Sequence, residues 1–97
     1  MDKILILFTM KGCPYCEIMK ESLNENNIEY FVRDINQHKE EYDLFVEATK
    51  NEFVPAFIII DDDEINPKSY LYAPERDFNE ISDGIEIIKE HFKGINE

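Results

Sequence analysis

The 97-residue chain contains no tryptophan, only three glycines and four prolines, and two cysteines. So little glycine and proline excludes collagen-like and low-complexity architectures. Two cysteines cannot build a disulfide framework, so the fold must rest on its own core. Basic residues are scarce, ten against twenty-two acids, for a net charge of −12. Phosphates demand a basic surface, which argues against a nucleic-acid partner. An anionic membrane surface is disfavoured for the same reason. Long apolar runs are also missing. Near the start, Ile4 to Phe8 spans five residues, lacks a small-residue cleavage site after it, and is soon followed by Lys11. It fits neither a signal peptide nor a membrane span. The expectation is a soluble, cytoplasmic protein in a reducing compartment. There, a close cysteine pair is more often catalytic or metal-binding than a structural staple.

Hydrophobic residues make up 43% and charged residues 33%, an ordinary globular balance. A chain of this length buries about 60–68% of its unfolded surface, enough for one core and too little for two. One domain over residues 1–97 is expected, with no internal repeat. Ile4 to Thr9 reads as a buried strand. Gly12 and Pro14 punctuate the chain, and proline suits the first position of a helix, where its missing N–H costs nothing. That helix should run from about Pro14 to Asn26, with Ile18, Met19 and Leu23 as its apolar stripe. Glu29 to Ile35 alternates like a strand. A helix follows from about Gln37 to Lys50, with Tyr42, Phe45, Val46 and Thr49 on one face. Pro55 opens a second buried strand, Ala56 to Ile60. Asp61 to Glu64 reads as an acidic turn, since it lacks the glycine and spaced acids of a calcium loop. Ser69 to Ala73 is a short strand between Pro67 and Pro74. The last helix carries Ile81, Ile85, Ile88 and Phe92. Its start is open between an Asp77/Glu80 capping box and a Ser82 cap. The order is β-α-β-α-β-β-α. A right-handed crossover pairs the first two strands in parallel, and the last two form a hairpin. The result is an α/β fold with a four-stranded mixed sheet flanked by three helices.

The strongest motif is Cys13-Pro14-Tyr15-Cys16, at the junction of a strand and a helix. Residues three apart on a helix have Cβ atoms about 5–6 Å apart, close enough to bridge after small adjustment. Cys13 at the helix N-cap faces unsatisfied N–H groups and the positive end of the helix dipole. Lys11 adds a positive charge on the same loop. Such surroundings lower a cysteine pKa from about 8.5 to about 3.5–7.5. Cys13 is therefore the expected nucleophile, and Cys16, one turn in, the more buried resolving thiol. An inert structural disulfide is the weaker alternative in a reducing compartment. Zinc is another, but only His38 and His91 could complete the ligand set, and they lie far apart in sequence. His91 reads as a partner for its own helix's C-terminal dipole, and His38 as a surface residue near a helix start.

These residues resemble the glutaredoxin family of the dithiol type. Cys13-Pro14-Tyr15-Cys16 is similar to its active-site signature, with Lys11 two positions before the nucleophile. Val54-Pro55 resembles its Thr-Val-Pro segment, with Phe53 in the threonine position. Ser82-Asp83 resembles the pair that opens its last helix and holds the γ-glutamyl end of glutathione. The resemblance implies a thioredoxin fold, a cis Val54–Pro55 bond, and glutathione as reductant with no metal. It implies electron transfer to disulfide-containing client proteins, with ribonucleotide reductase as one candidate, by a monomer. Tyr15 would form one wall of the substrate groove, and Val54 would offer backbone groups to the bound peptide. Two departures fall on the glutathione side: Asn79-Glu80 stands where the family has Gly-Gly, and Glu64 to Phe78 is longer than usual. Lys39 could supply a second cation for a glutathione carboxylate, though a solvated lysine is the simpler reading. The rival readings are an electron donor reduced by thioredoxin reductase, a glutathione-ligated iron–sulfur carrier, and an acidic adaptor that merely keeps the fold.

Overall fold

A computed structural model describes residues 2–62, 65 and 67–93. The elements are β1 (Asp2–Thr9), α1 (Pro14–Glu25), β2 (Phe31–Asp34), α2 (Lys39–Thr49), β3 (Ala56–Asp62), β4 (Lys68–Tyr72) and α3 (Ile81–Lys93). They build a four-stranded sheet in the order β2-β1-β3-β4. β1 runs parallel to β2 and antiparallel to β3, and β3 runs antiparallel to β4. This is the expected mixed α/β arrangement, with β1 and β3 at its centre.

Successive strand residues point to opposite faces, and the two faces are filled differently. Leu5, Leu7, Phe57 and Ile59 meet Met19 and Leu23 of α1 and Ile85 and Ile88 of α3. On the other face Phe8 and Ala56 pack with Tyr42 and Phe45 of α2. One helix covers that face less completely than two cover the first. Ile4, Ile6, Ile58 and Ile60 are accordingly half-buried, although an unbroken apolar run suggests burial on both sides.

Several boundaries differ from the sequence reading. β2 is shorter than Glu29 to Ile35, and Phe31 and Val32 stay exposed because β2 is an edge strand. β3 continues through Asp61 and Asp62 rather than turning there, because its ladder partners extend that far. Lys3 of β1 and Lys68 of β4 stand on either side of Asp61. Asp63 and Glu64, the rest of the proposed acidic turn, lie outside the described residues. α2 starts at Lys39, with His38 as an N-cap that makes no side-chain bond.

The start of α3 follows neither sequence-based alternative. The Glu80 carbonyl accepts from the N–H groups of Asp83 and Gly84, and the Asp83 carboxylate accepts from the Glu80 N–H at 3.4 Å. That is the returning half of a capping box, with Glu80 in the cap position. Asp77 is committed elsewhere: its carboxylate accepts from the Ala73 N–H at 2.8 Å and pairs with Arg76. Toward the end of α3, His91 does not serve its own helix terminus. Its Nε2 lies 2.6 Å from the Tyr72 hydroxyl, and its ring packs on Tyr70.

Candidate functional site

β1 ends at Thr9, and the chain reaches α1 through a turn in which the Cys13 N–H donates to the Met10 carbonyl. Gly12 takes a φ of +81° there, a left-handed conformation that glycine adopts without steric cost. Pro14 follows as the first helical residue, pre-set for helix and with no N–H to leave unpaired. Cys13 therefore occupies the N-cap. Its Sγ accepts from the Cys16 N–H at 3.2 Å, so the sulfur does the work usually done by a serine or aspartate oxygen.

Cys13 and Cys16 are joined by a disulfide, with Cα atoms 5.3 Å apart. Cys13 keeps 8% of its surface exposed and Cys16 only 1%. The pair is thus asymmetric: both cysteines are buried, but Cys13 at the cap keeps a little exposure and Cys16, inside the first turn, keeps almost none. His38 and His91 do not join them. Among the described residues, no three His, Cys, Asp or Glu side chains gather where they could hold a metal ion.

The pairing of Phe8 with Ala56 puts the start of β3 beside the end of β1. Pro55 therefore lies next to the turn that leads to Cys13. The Val54–Pro55 peptide bond is cis. A groove of about 630 Å³ runs from here along the first turn of α1 to the start of α3. Tyr15 and Ile18 form one wall, Phe53, Val54 and Pro55 a second, and residues 74–75 and 78–82 the third. Tyr15 is 64% exposed and Phe53 56%.

The third wall is held by polar contacts that no local motif announces. The Asn51 side chain accepts from the Phe53 N–H at 2.9 Å and donates to the Pro74 carbonyl at 2.6 Å. It ties the second wall to the third. The Glu75 N–H donates to the Phe78 carbonyl at 2.7 Å, and Glu75 itself takes a left-handed φ of 68°. Phe78 closes the floor by stacking on Phe57 at 5.5 Å. Behind the second wall, the Tyr42 hydroxyl donates to the Glu52 carbonyl at 2.6 Å. Burial, with help from Glu52 and Asp43, pushes the Tyr42 hydroxyl above its usual range and keeps it a donor.

Of the residues singled out from sequence, Tyr15, Val54, Pro55 and Ser82 border this groove. Asp83 does not line it, and its carboxylate is engaged by the Glu80 N–H. Lys11 is exposed on the turn before Cys13, outside the walls. Lys39 lies elsewhere, bound to Asp43 at 2.9 Å in a hydrogen bond that raises its ammonium above the ordinary lysine value. Phe53 is flagged in the sequence only through its place before Val54-Pro55, and Glu75 and Phe78 are wall residues without a recognisable signal there. Their roles follow from contacts made far along the chain.

Comparison with known proteins agrees with this geometry. A crystal structure of a mutant of the thioredoxin-like protein BC3987 superposes with a TM-score of 0.50. At 23% identity it covers 55% of this chain and 72% of its own, which establishes a thioredoxin-like fold. No curated relative matches the chain. The family model described as Glutaredoxin matches residues 5–65. The matched stretch runs from β1 past the end of β3 and so carries both cysteines and Val54–Pro55, while the third wall of the groove lies beyond it. On that match the chain belongs to the glutaredoxin family, whose shared chemistry is thiol–disulfide exchange.

Proposed function

We propose that the protein is a dithiol glutaredoxin that reduces protein disulfides and glutathione mixed disulfides, with glutathione as its reductant. The observation that carries this reading is the Cys13 sulfur in the N-cap, accepting the Cys16 N–H. The contact that holds the sulfur in the disulfide becomes a charge-assisted hydrogen bond once Cys13 is a thiolate. The helix N-terminus favours the same charge, and Lys11 adds to it.

In the reductive half-cycle, the Cys13 thiolate attacks one sulfur of the client disulfide. The client S–S bond breaks, and its other sulfur leaves as a thiolate that takes a proton from water. The mixed disulfide on Cys13 is then attacked by Cys16, which gives up its proton. A second client thiol is released, and the Cys13–Cys16 disulfide carries the two electrons' worth of oxidation. One glutathione thiolate opens that disulfide at Cys13. A second attacks the resulting mixed disulfide, yielding glutathione disulfide and restoring both thiols. Tyr15 walls the substrate, Val54 offers backbone groups for edge pairing, and Ser82 with the helix N–H groups receives a glutathione carboxylate. The protein acts as a monomer in a reducing compartment, the cytoplasm.

A second reading, reduction by thioredoxin reductase, is favoured by the two acidic residues, Glu75 and Glu80, that line the groove. They oppose an anionic tripeptide. Turnover of a small mixed disulfide, coupled either to glutathione and glutathione reductase or to thioredoxin reductase, separates the two. Activity only with thioredoxin reductase overturns the glutathione assignment. Activity with neither overturns the oxidoreductase reading itself.

A further inference from the structure

We infer that the groove beside Cys13 selects polypeptide disulfides whose cysteine is flanked by a large apolar side chain and by lysine or arginine. The inference rests on the oxidoreductase reading above and names the client that it favours.

Three observations carry it. The two walls built from α1 and from the residues before β3 are apolar: Tyr15, Ile18 and Phe53 are all large and exposed, at 64%, 46% and 56%, and Tyr15 stands between the two cysteines in the first turn of α1. Exposed apolar groups collected beside a reactive pair offer burial to a partner's own apolar side chain. The far side of the same groove carries Glu75 and Glu80, while among the described residues no lysine, arginine or histidine lines it. The nearest cation on that segment, Arg76, does not offset them. Its guanidinium is drawn to the Asp77 carboxylate at 3.0 Å and to the Leu71 carbonyl at 3.4 Å.

The third observation is rigidity. Asn51 clamps the segment to the second wall, Asp77 clamps it to Ala73, and Glu75 is fixed by the bond from its N–H to the Phe78 carbonyl. The backbone that bears Glu75 is thus held in place rather than left as a loose loop. A walled groove with an apolar half and a negative half fits a peptide bearing one apolar and one cationic side chain near its cysteine. The protein's charge of −12 extends the same selection to longer range by steering cationic partners inward.

The test uses the full chain with both cysteines reduced. Three synthetic peptides of equal length carry one cysteine, each joined by a disulfide to 2-mercaptoethanol, a neutral thiol. Each has a phenylalanine beside the cysteine, followed by Lys-Arg, Gly-Ser or Asp-Glu. The rate constant for release of the peptide thiol is measured at low and at high salt. The Lys-Arg peptide should react about tenfold faster than the Asp-Glu peptide at low salt, and the ratio should shrink severalfold when the Debye length falls to about 3 Å near 1 M salt. The double variant Glu75→Gln/Glu80→Gln should lower the ratio severalfold. The variant Glu21→Gln/Glu25→Gln removes the same charge from the exposed end of α1 and should keep both the ratio and the basal rate. Equal rates for all three peptides, or a ratio untouched by Glu75→Gln/Glu80→Gln, overturn the charge selection while leaving the oxidoreductase reading intact. An equal fall of the ratio in both double variants also overturns it, because net charge rather than the groove would then be responsible. Replacing the phenylalanine by glycine should slow the Lys-Arg peptide severalfold, and no slowing overturns the apolar part. Failure to release any peptide thiol overturns the oxidoreductase reading and this inference with it.

Discussion

Gly84 sits in the first turns of α3, buried where the helix crosses α1 and the groove floor. Replacing it with alanine sets two effects of similar size against each other. Alanine is better than glycine within a helix by about 1 kcal/mol. A methyl group there would lie 3.1 Å from the Met19 Cε and 3.2 and 3.3 Å from two carbons of the Phe78 ring. Met19 can yield, because the crowded atom is the far end of a flexible chain. Phe78 cannot yield inward. Its ring stacks on Phe57, which is fully buried and packed in turn on Tyr72 at 5.2 Å. Overpacking a site with one rigid neighbour costs about 1–3 kcal/mol. The packing penalty should win, and Gly84→Ala should destabilise the reduced protein by about 1 kcal/mol. That lowers the melting temperature by about 4–8 °C for a domain of this size. Phe78→Leu in the same background should recover part of the loss, a coupling of at least about 0.5 kcal/mol in a double-mutant cycle followed by thermal and urea unfolding. A higher melting temperature for Gly84→Ala would refute the reasoning, because it would mean that Phe78 shifts freely toward the groove. Gly12→Ala provides the contrast. Nothing lies within 4 Å of its added methyl, so any loss there comes from its φ of +81° alone.

Three further outcomes are expected. Cys13→Ser should abolish all disulfide reduction, whereas Cys16→Ser should retain reduction of glutathione mixed disulfides; equal loss in both would refute the assignment of Cys13 as the attacking sulfur. Glu80→Gly should lower the Michaelis constant for glutathione by up to about fivefold at low salt, since an exposed like charge is worth no more than about 1 kcal/mol; unchanged kinetics would show that Glu80 does not reach the ligand. His91 is held below the ordinary histidine value by burial first and by Lys3 second, with Asp61 opposing. The unfolded chain then binds the proton more readily, so stability is complete above the unfolded value near 6.5 and declines as pH falls below it toward the folded value. Urea midpoints between about pH 7.5 and 5.5 should fall for wild type and stay flatter for His91→Gln, and parallel slopes would count against this account.

The parts legible in the sequence are those whose causes are local. The runs from Ile4 and from Ala56 are β-favouring and apolar, and they became the two central strands. Pro14 marks the start of α1, and the cysteine spacing places one sulfur in the cap and the other a turn inside. The misread parts have distant causes. Asp61 and Asp62 look like a turn by composition, yet backbone pairing with β1 and β4 overrides that weak preference. Phe31 and Val32 have strand character but no layer above them, which periodicity cannot reveal. Asn51 shapes the groove through a bond to Pro74, and Asp77 through one to Ala73. Asn51 and Asp77 in isolation read only as loop polar residues.

The sheet order has a consequence for synthesis of the chain. β1 emerges before its neighbours, yet it ends up interior, between β2 and β3. β2 can close one edge of β1 as soon as the first crossover is complete. The other edge stays open until β3 appears, and at about 5–20 residues per second that interval lasts seconds. Through that time Ile4 to Phe8 is an uncharged, β-favouring segment with bare N–H and C=O groups, the kind of template on which nascent chains stick together. Lys3 at one end and Lys11 soon after the other stand as charged gatekeepers. Before the groove or the disulfide exists, a charge at each end of this segment works against such pairing.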